Sequence, residues 1–173
     1  MELKDKKVLI LIENMFNELE FWYPYFRLKE AGAEVTVVGP EAGKSYSGKS
    51  ATEKTADAGA AQIKAADYDG VVIPGGYAPD LMRRDPAMVK IVADLHREGK
   101  VVAAICHAGW MLASAKILPG RKVTSFFAIK DDLIHAGAQW VDEEVVVDGT
   151  LVTSRTPDDL PAFMRTVIQT LQG

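Results

Sequence analysis

The chain predicts an α/β fold around a mostly parallel sheet, on three observations. Apolar runs of strand length alternate with amphipathic stretches of helix length, the pattern of βαβ units. At 173 residues and 48 % apolar content the chain can bury a substantial core, and residues 1–173 show no internal repeat, low-complexity tract or linker, so a single domain is expected. Two of the apolar runs, ending at Ile73 and Ile105, lead straight into Pro74-Gly75-Gly76 and Cys106-His107. Strands of an open α/β sheet present their ligand-binding groups at this carboxyl edge.

The elements follow in order. Val8 to Ile12 reads as the first strand. Glu18 to Ala31 reads as a helix with Phe21, Tyr25 and Leu28 on one face, ended by Gly32, and Pro24 within it predicts a kink or a late start. Glu34 to Val38 is the second strand, and Gly43 to Ser50 predicts a hairpin excursion outside the core. Asp69 opens the strand Gly70 to Ile73; Pro86 to Glu98 is a helix closed by Gly99; Val101 to Ile105 is the next strand, with a helix after it. Beyond Pro119-Gly120 come a strand near Val123 and a helix from Ala128 to Ala136. Glu144 to Val147 and Leu151 to Ser154 flank Asp148-Gly149, a hairpin turn pair. Pro157 with Asp158-Asp159 starts the last helix, where acidic residues suit the positive end of the dipole.

Composition narrows the function. A net charge of −4 with scattered Lys and Arg gives no electrostatic footprint for nucleic acid. One cysteine forbids an intramolecular disulfide, and the six-residue apolar run near the start is too short for a signal peptide or a membrane span, which points to the cytoplasm. Three histidines and one cysteine without close spacing argue against a zinc site, and Gly75-Gly76 lacks the other residues of a phosphate loop.

Cys106 is the residue that carries chemistry. It sits on the turn between a strand and a helix, flanked two residues away by the small Ala104 and Ala108, as a nucleophile elbow requires. The helix start beneath it is expected to favour the thiolate and lower the thiol pKa. A lone cysteine in an apolar segment is otherwise a buried, inert hydrophobe. The amides of Gly76 and His107 could form an oxyanion hole, or could cap local structure instead. His107 can act as general base if its ring turns to the thiol, a geometry that neighbours in a helix rarely adopt, so an outside partner is expected. Asp80 is the candidate orienter, within the chain or across a subunit interface, against the plainer role of capping a helix starting at Leu81. Asn17 could donate to the thiolate, although capping the helix that begins at Glu18 is its more ordinary use. His96 and His135, near helix ends, read as structural.

Four segments together resemble the PfpI family of intracellular cysteine peptidases and deglycases, in the ThiJ/PfpI and class I glutamine amidotransferase-like superfamily. They are Pro74-Gly75-Gly76-Tyr77-Ala78-Pro79-Asp80, Ala103-Ala104-Ile105-Cys106-His107-Ala108-Gly109, Gly120-Arg121-Lys122-Val123-Thr124-Ser125, and Glu144 to Gly149 with Thr153 to Pro157. The resemblance implies a flavodoxin-like three-layer sandwich with Cys106 as nucleophile and His107 as its base. It also implies that Asp80 completes a triad across the interface of a homodimer or hexamer, and that no cofactor is needed. Three departures stand out. Asn17 falls where the resemblance expects a glutamate in Phe16-Asn17-Glu18-Leu19-Glu20, so Asn17→Glu is expected to raise glyoxalase-type turnover. Ala108-Gly109 and Trp110 replace the usual Gly-Pro and Gln, and Phe126 stands where some relatives have Tyr.

The leading expectation is a cysteine-dependent stress-response enzyme acting on methylglyoxal or its early glycation adducts. The alternatives are a cysteine peptidase or amidase, and a non-enzymatic redox sensor in which Cys106 is oxidised.

Overall fold

The computed structural model describes residues 2–173. Strand β1 (Lys7–Leu11) leads through a six-residue loop to helix α1 (Glu18–Ala31), which ends at Gly32 in the left-handed conformation. Asn17 caps α1: its side-chain oxygen accepts from the backbone N–H groups of Leu19 and Glu20. The helix starts at Glu18 and continues through Pro24, so the expected late start is absent. Then come β2 (Glu34–Gly39), the antiparallel hairpin of β3 (Ser45–Ser47) and β4 (Glu53–Thr55), and the short β5 (Ala58–Gly59). The middle of the chain supplies β6 (Gly70–Ile73), α2 (Ala78–Met82), α3 (Pro86–Arg97), β7 (Val101–Ile105) and α4 (Gly109–Ser114). The last part gives β8 (Lys122–Val123), α5 (Lys130–His135), β9 (Gln139–Trp140), β10 (Val145–Asp148), β11 (Leu151–Ser154) and α6 (Leu160–Gln172).

Seven strands form one sheet in the order β10-β11-β7-β6-β1-β2-β5, parallel except for the β10–β11 hairpin around Asp148-Gly149. Helices α1 and α6 pack together on one face, and α3 packs on the other against β6, β7 and α4. This is the expected three-layer sandwich. Strands β1, β6 and β7 carry almost unbroken buried apolar residues because both faces of the sheet are covered.

Register puts the functional segments side by side. Ile10 pairs with Val72, and Ile73 with Ala104, so β1, β6 and β7 all run out at the same edge. The loops that leave this edge are stitched to one another. The N–H of Asn17 donates to Gly75 O, and the N–H of Tyr77 donates to Met15 O. Phe16 forms isolated bridges to both Gly76 and Gly48.

The cap at Asn17 fixes where α1 begins and therefore which of its residues face the sheet edge. Asn17→Ala is expected to lower unfolding stability by about 1 kcal/mol and Asn17→Asp to retain it, measured from urea denaturation midpoints. Equal midpoints for Asn17→Ala and the parent chain would contradict this.

Candidate active site

Cys106 lies just past β7 with φ of 62°, a left-handed conformation costly for a residue with a Cβ. The chain turns there into one 3-10 turn, Cys106 to Ala108, before α4 begins. The side chain is buried, with 8 % exposure. The backbone N–H groups of Gly76 and His107 both act as donors to its sulfur, so the two amides expected at an oxyanion hole converge on the thiol.

His107 reaches the thiol after all: its Nδ1 lies 3.3 Å from Cys106 Sγ. The strained elbow makes this possible, because the two residues do not sit in regular helix, where neighbours point apart. The ring is held by packing. Phe126 stacks on it at 5.0 Å between centroids, and Trp110 meets it edge-on at 5.2 Å. Trp110 is pinned in turn by its indole N–H, which donates to Asp132, and Phe126 by its backbone N–H, which donates to Cys106 O. Trp110 and Phe126 are thus walls of the site.

Asp80 does not orient the ring within this chain. It lies in the first turn of α2, where its carboxylate pairs with Arg84 and takes a hydrogen bond from Tyr77. Helix α2 starts at Ala78, so the expected capping role for a helix beginning at Leu81 is absent as well.

The acid at the thiol is Glu20, which sequence reasoning missed. Glu20 is fully buried in the first turn of α1, and its Oε2 accepts a 2.8 Å hydrogen bond from the N–H of Gly75. Its other oxygen, Oε1, has no partner of hydrogen-bonding geometry. The Cys106 thiol is the group left to it, and each of the two shifts the titration of the other. Gly75 is what lets them meet: a Cβ there would collide with Glu20 Oε2 and lie 2.8 Å from Cys106 Cβ. Gly76, at φ of 80°, brings its amide to the sulfur. A Cβ on Gly76 would collide with Met15 O at 2.5 Å.

Two expectations need correction. The resemblance leaves Asn17 where a glutamate belongs; a carboxyl from the same segment is present one helical turn further on, while Asn17 is engaged as the helix cap. This removes the basis for expecting a gain from Asn17→Glu. The thiol pKa is also not lowered. Burial, followed by the nearby Glu20 carboxylate, pushes Cys106 up to about 12 against the two amide hydrogen bonds. Only a single 3-10 turn and a six-residue helix follow the thiol, too little dipole to offset that desolvation. Burial likewise raises Glu20 to about 7. His107 is shifted down, first by burial and then by the charge of Lys49. Between the two raised values the Glu20–Cys106 pair holds one proton, mostly on the sulfur, and Glu20 is the neighbouring group that can take it.

These residues border a cavity of about 370 Å³. It is lined by Asn17, Glu20, Gly76, Cys106 and His107 together with Tyr77, Trp110, Phe126, Thr156, Pro157 and Lys49. Among the described residues no cluster of His, Cys, Asp or Glu could hold a metal ion, and no helix is long and apolar enough to cross a membrane.

Comparison with known proteins settles the family. The sequence profile of the DJ-1/PfpI family matches residues 6–170. The chain belongs to the DJ-1/PfpI family. It is similar to a deglycase of Pyrococcus horikoshii, 45 % identical over 96 % of this chain and 99 % of that protein. It is also similar to general stress protein 18 of Bacillus subtilis, 43 % identical over 96 % of this chain and 98 % of that protein. A solved two-domain protein of Anabaena variabilis, with DJ-1/PfpI-like and ferritin-like domains, superposes with a TM-score of 0.95 at 43 % identity. That match covers 96 % of this chain, which spans 48 % of the larger protein. The DJ-1/PfpI fold therefore accounts for the three layers.

The buried carboxyl has a measurable signature in stability. Folding raises the Glu20 pKa from 4.5 to about 7, so the folded chain keeps a proton that the unfolded chain releases above 4.5. Stability conferred by the protonated carboxyl is therefore lost as pH rises from about 4.5 through about 7. Glu20→Gln lacks this loss. Its stability relative to the parent should rise across that interval by on the order of 3 kcal/mol, followed by denaturant unfolding at a series of pH values. A difference that does not change with pH would contradict the assignment.

Proposed function

We propose that this DJ-1/PfpI protein is a cysteine-dependent stress-response enzyme that acts on methylglyoxal and on its early adducts with amines and thiols. The observation that carries the reading is the convergence on one sulfur of a buried carboxyl, an imidazole and two backbone N–H donors, in a cavity of about 370 Å³ with aromatic walls. A cavity of that size suits a small carbonyl compound better than an extended peptide. The names of the relatives, a deglycase and a general stress protein, support it.

The steps follow from the groups present. With the shared proton on Glu20, Cys106 is a thiolate, and its sulfur adds to the aldehyde carbon of methylglyoxal. The new alkoxide takes a proton and leaves a hemithioacetal. On a hemiaminal adduct the sulfur instead displaces the amine, which departs with a proton. Removal of the proton on the sulfur-bearing carbon and its return to the adjacent ketone carbon through an enediol convert the hemithioacetal to a 2-hydroxyacyl thioester. Water then cleaves the C–S bond, giving lactate and the free thiol. The sequence is an internal redox rearrangement followed by hydrolysis, so no external oxidant or reductant enters it. The Gly76 and His107 amides are placed to stabilise the oxyanions of addition and hydrolysis. Glu20 and the neutral imidazole of His107 are the groups placed to move protons. If Asp80 assists His107, it does so from a second copy of the chain in a homodimer or hexamer, because its own chain engages it with Arg84 and Tyr77.

Purified protein should convert methylglyoxal to lactate. Cys106→Ser should reduce that rate by at least about a thousandfold and Glu20→Gln by about a hundredfold, measured by lactate formation with both variants folded. Lactate formed equally by Cys106→Ser would exclude the mechanism.

A further inference from the structure

Among the described residues Lys49 is the one ammonium group on the wall of the cavity. It stands at the tip of the β3–β4 hairpin, and that tip is fixed to the start of α1. The N–H of Lys49 donates to Phe16 O at 3.0 Å, and the N–H of Met15 donates to Ser47 O at 2.7 Å. The N–H of Ser50 donates to Glu18 Oε1, and the indole of Trp22 to Thr52 Oγ1. Gly48 permits the contact, since a Cβ there would collide with Glu18 Oε1. The hairpin is thereby locked to the helix turn that carries Glu20.

Among the described residues no carboxylate lies within ion-pair distance of the Lys49 ammonium. Glu18, the acid bonded to the hairpin tip, accepts from the Ser50 N–H. Glu20 is buried behind the thiol and carries a proton up to about neutral pH. The positive charge is nevertheless close enough to lower both the Glu20 and the His107 pKa. A fixed backbone and an exposed ammonium with no ion-pair partner among the described residues leave a positive charge on the cavity wall that a ligand's negative group can meet.

We propose that Lys49 determines the specificity of this pocket by binding a carboxylate that the substrate carries beyond its reactive carbonyl. This rests on the carbonyl chemistry proposed above and deepens it. The preferred substrates are then adducts of methylglyoxal with molecules that keep a free carboxylate, such as amino acids and cysteine derivatives. A single ammonium matches a monoanionic carboxylate. Phosphate sites recruit several donors, commonly an Arg fork, and no arginine is among the described residues that line this cavity, while the first N–H groups of α1, on Leu19 and Glu20, are taken by the Asn17 side chain.

The test compares two hemithioacetals of methylglyoxal that differ only in charge, one with N-acetylcysteine and one with N-acetylcysteine amide. The parent protein should have the higher kcat/KM for the acid. In Lys49→Met the acid-to-amide ratio should fall by about fivefold to tenfold, whatever common change both substrates show, while Lys49→Arg should preserve it. Added salt should erode the preference of the parent and leave Lys49→Met unaffected. An unchanged ratio in Lys49→Met, or a loss in Lys49→Arg as large as that in Lys49→Met, would overturn the proposal. Protection of Cys106 from iodoacetamide by N-acetyl-S-methylcysteine, which carries the leaving group's carboxylate and no free thiol, needs no turnover and separates the two readings. If neither hemithioacetal is consumed, the carbonyl reading fails, and protection by N-acetyl-S-methylcysteine present in the parent but lost in Lys49→Met still supports the carboxylate site. Protection equal in both, or absent from both, overturns it.

Discussion

A carboxyl with no exposure to solvent is expensive to place in a protein, and Glu20 is placed against a thiol that is almost as deeply buried. The arrangement survives because Oε2 is satisfied by the Gly75 amide and because one proton serves the pair. Everything else at the sheet edge follows from keeping that contact. Gly75 has to lack a Cβ, Gly76 has to turn left-handed so that its amide meets the sulfur, and Cys106 has to accept a positive φ. Backbone strain of this kind persists where the surroundings over-determine it, and here the register of β6 and β7 and the stitched loops do so.

The same contact sets the chemistry. A thiol pushed up to about 12 would be a poor nucleophile by itself. Paired with a carboxyl raised to about 7, it shares a proton that can leave the sulfur without leaving the site. His107 then adds a second proton carrier whose position comes from aromatic packing against Phe126 and Trp110, not from an acidic orienter in its own chain. Phe126 supplies a flat face on which the ring rests.

Much of this was legible in the sequence. The sheet could be read from the alternation of apolar runs and helical stretches, and the bounds of α1 and of the β10–β11 hairpin from Asn17, Gly32 and Asp148-Gly149, residues whose local chemistry decides where an element ends. The elbow was visible because a cysteine placed between a strand and a helix, with small residues on either side, has to stand at the sheet edge. Glu20 was not, because beside Glu18 it reads as one more acid suited to a helix start. The available signal was its periodicity: Glu20, Pro24, Leu28 and Ala31 form the buried stripe of α1, and an acid in that stripe must be either paired or functional. The inward turn of His107 and the placement of Lys49 depend on φ at Cys106 and on a hairpin folding back over α1. Both are tertiary effects with no local pattern.

The shared proton is tested most directly by the pH dependence of Cys106 alkylation with iodoacetamide, in the parent protein and in Glu20→Gln. Loss of the first of two protons from the pair should make the parent rate rise through an inflection near 7 and then level off. That inflection should disappear in Glu20→Gln, where the thiol must titrate alone. The same profile in both proteins would show that Glu20 does not share its proton with Cys106.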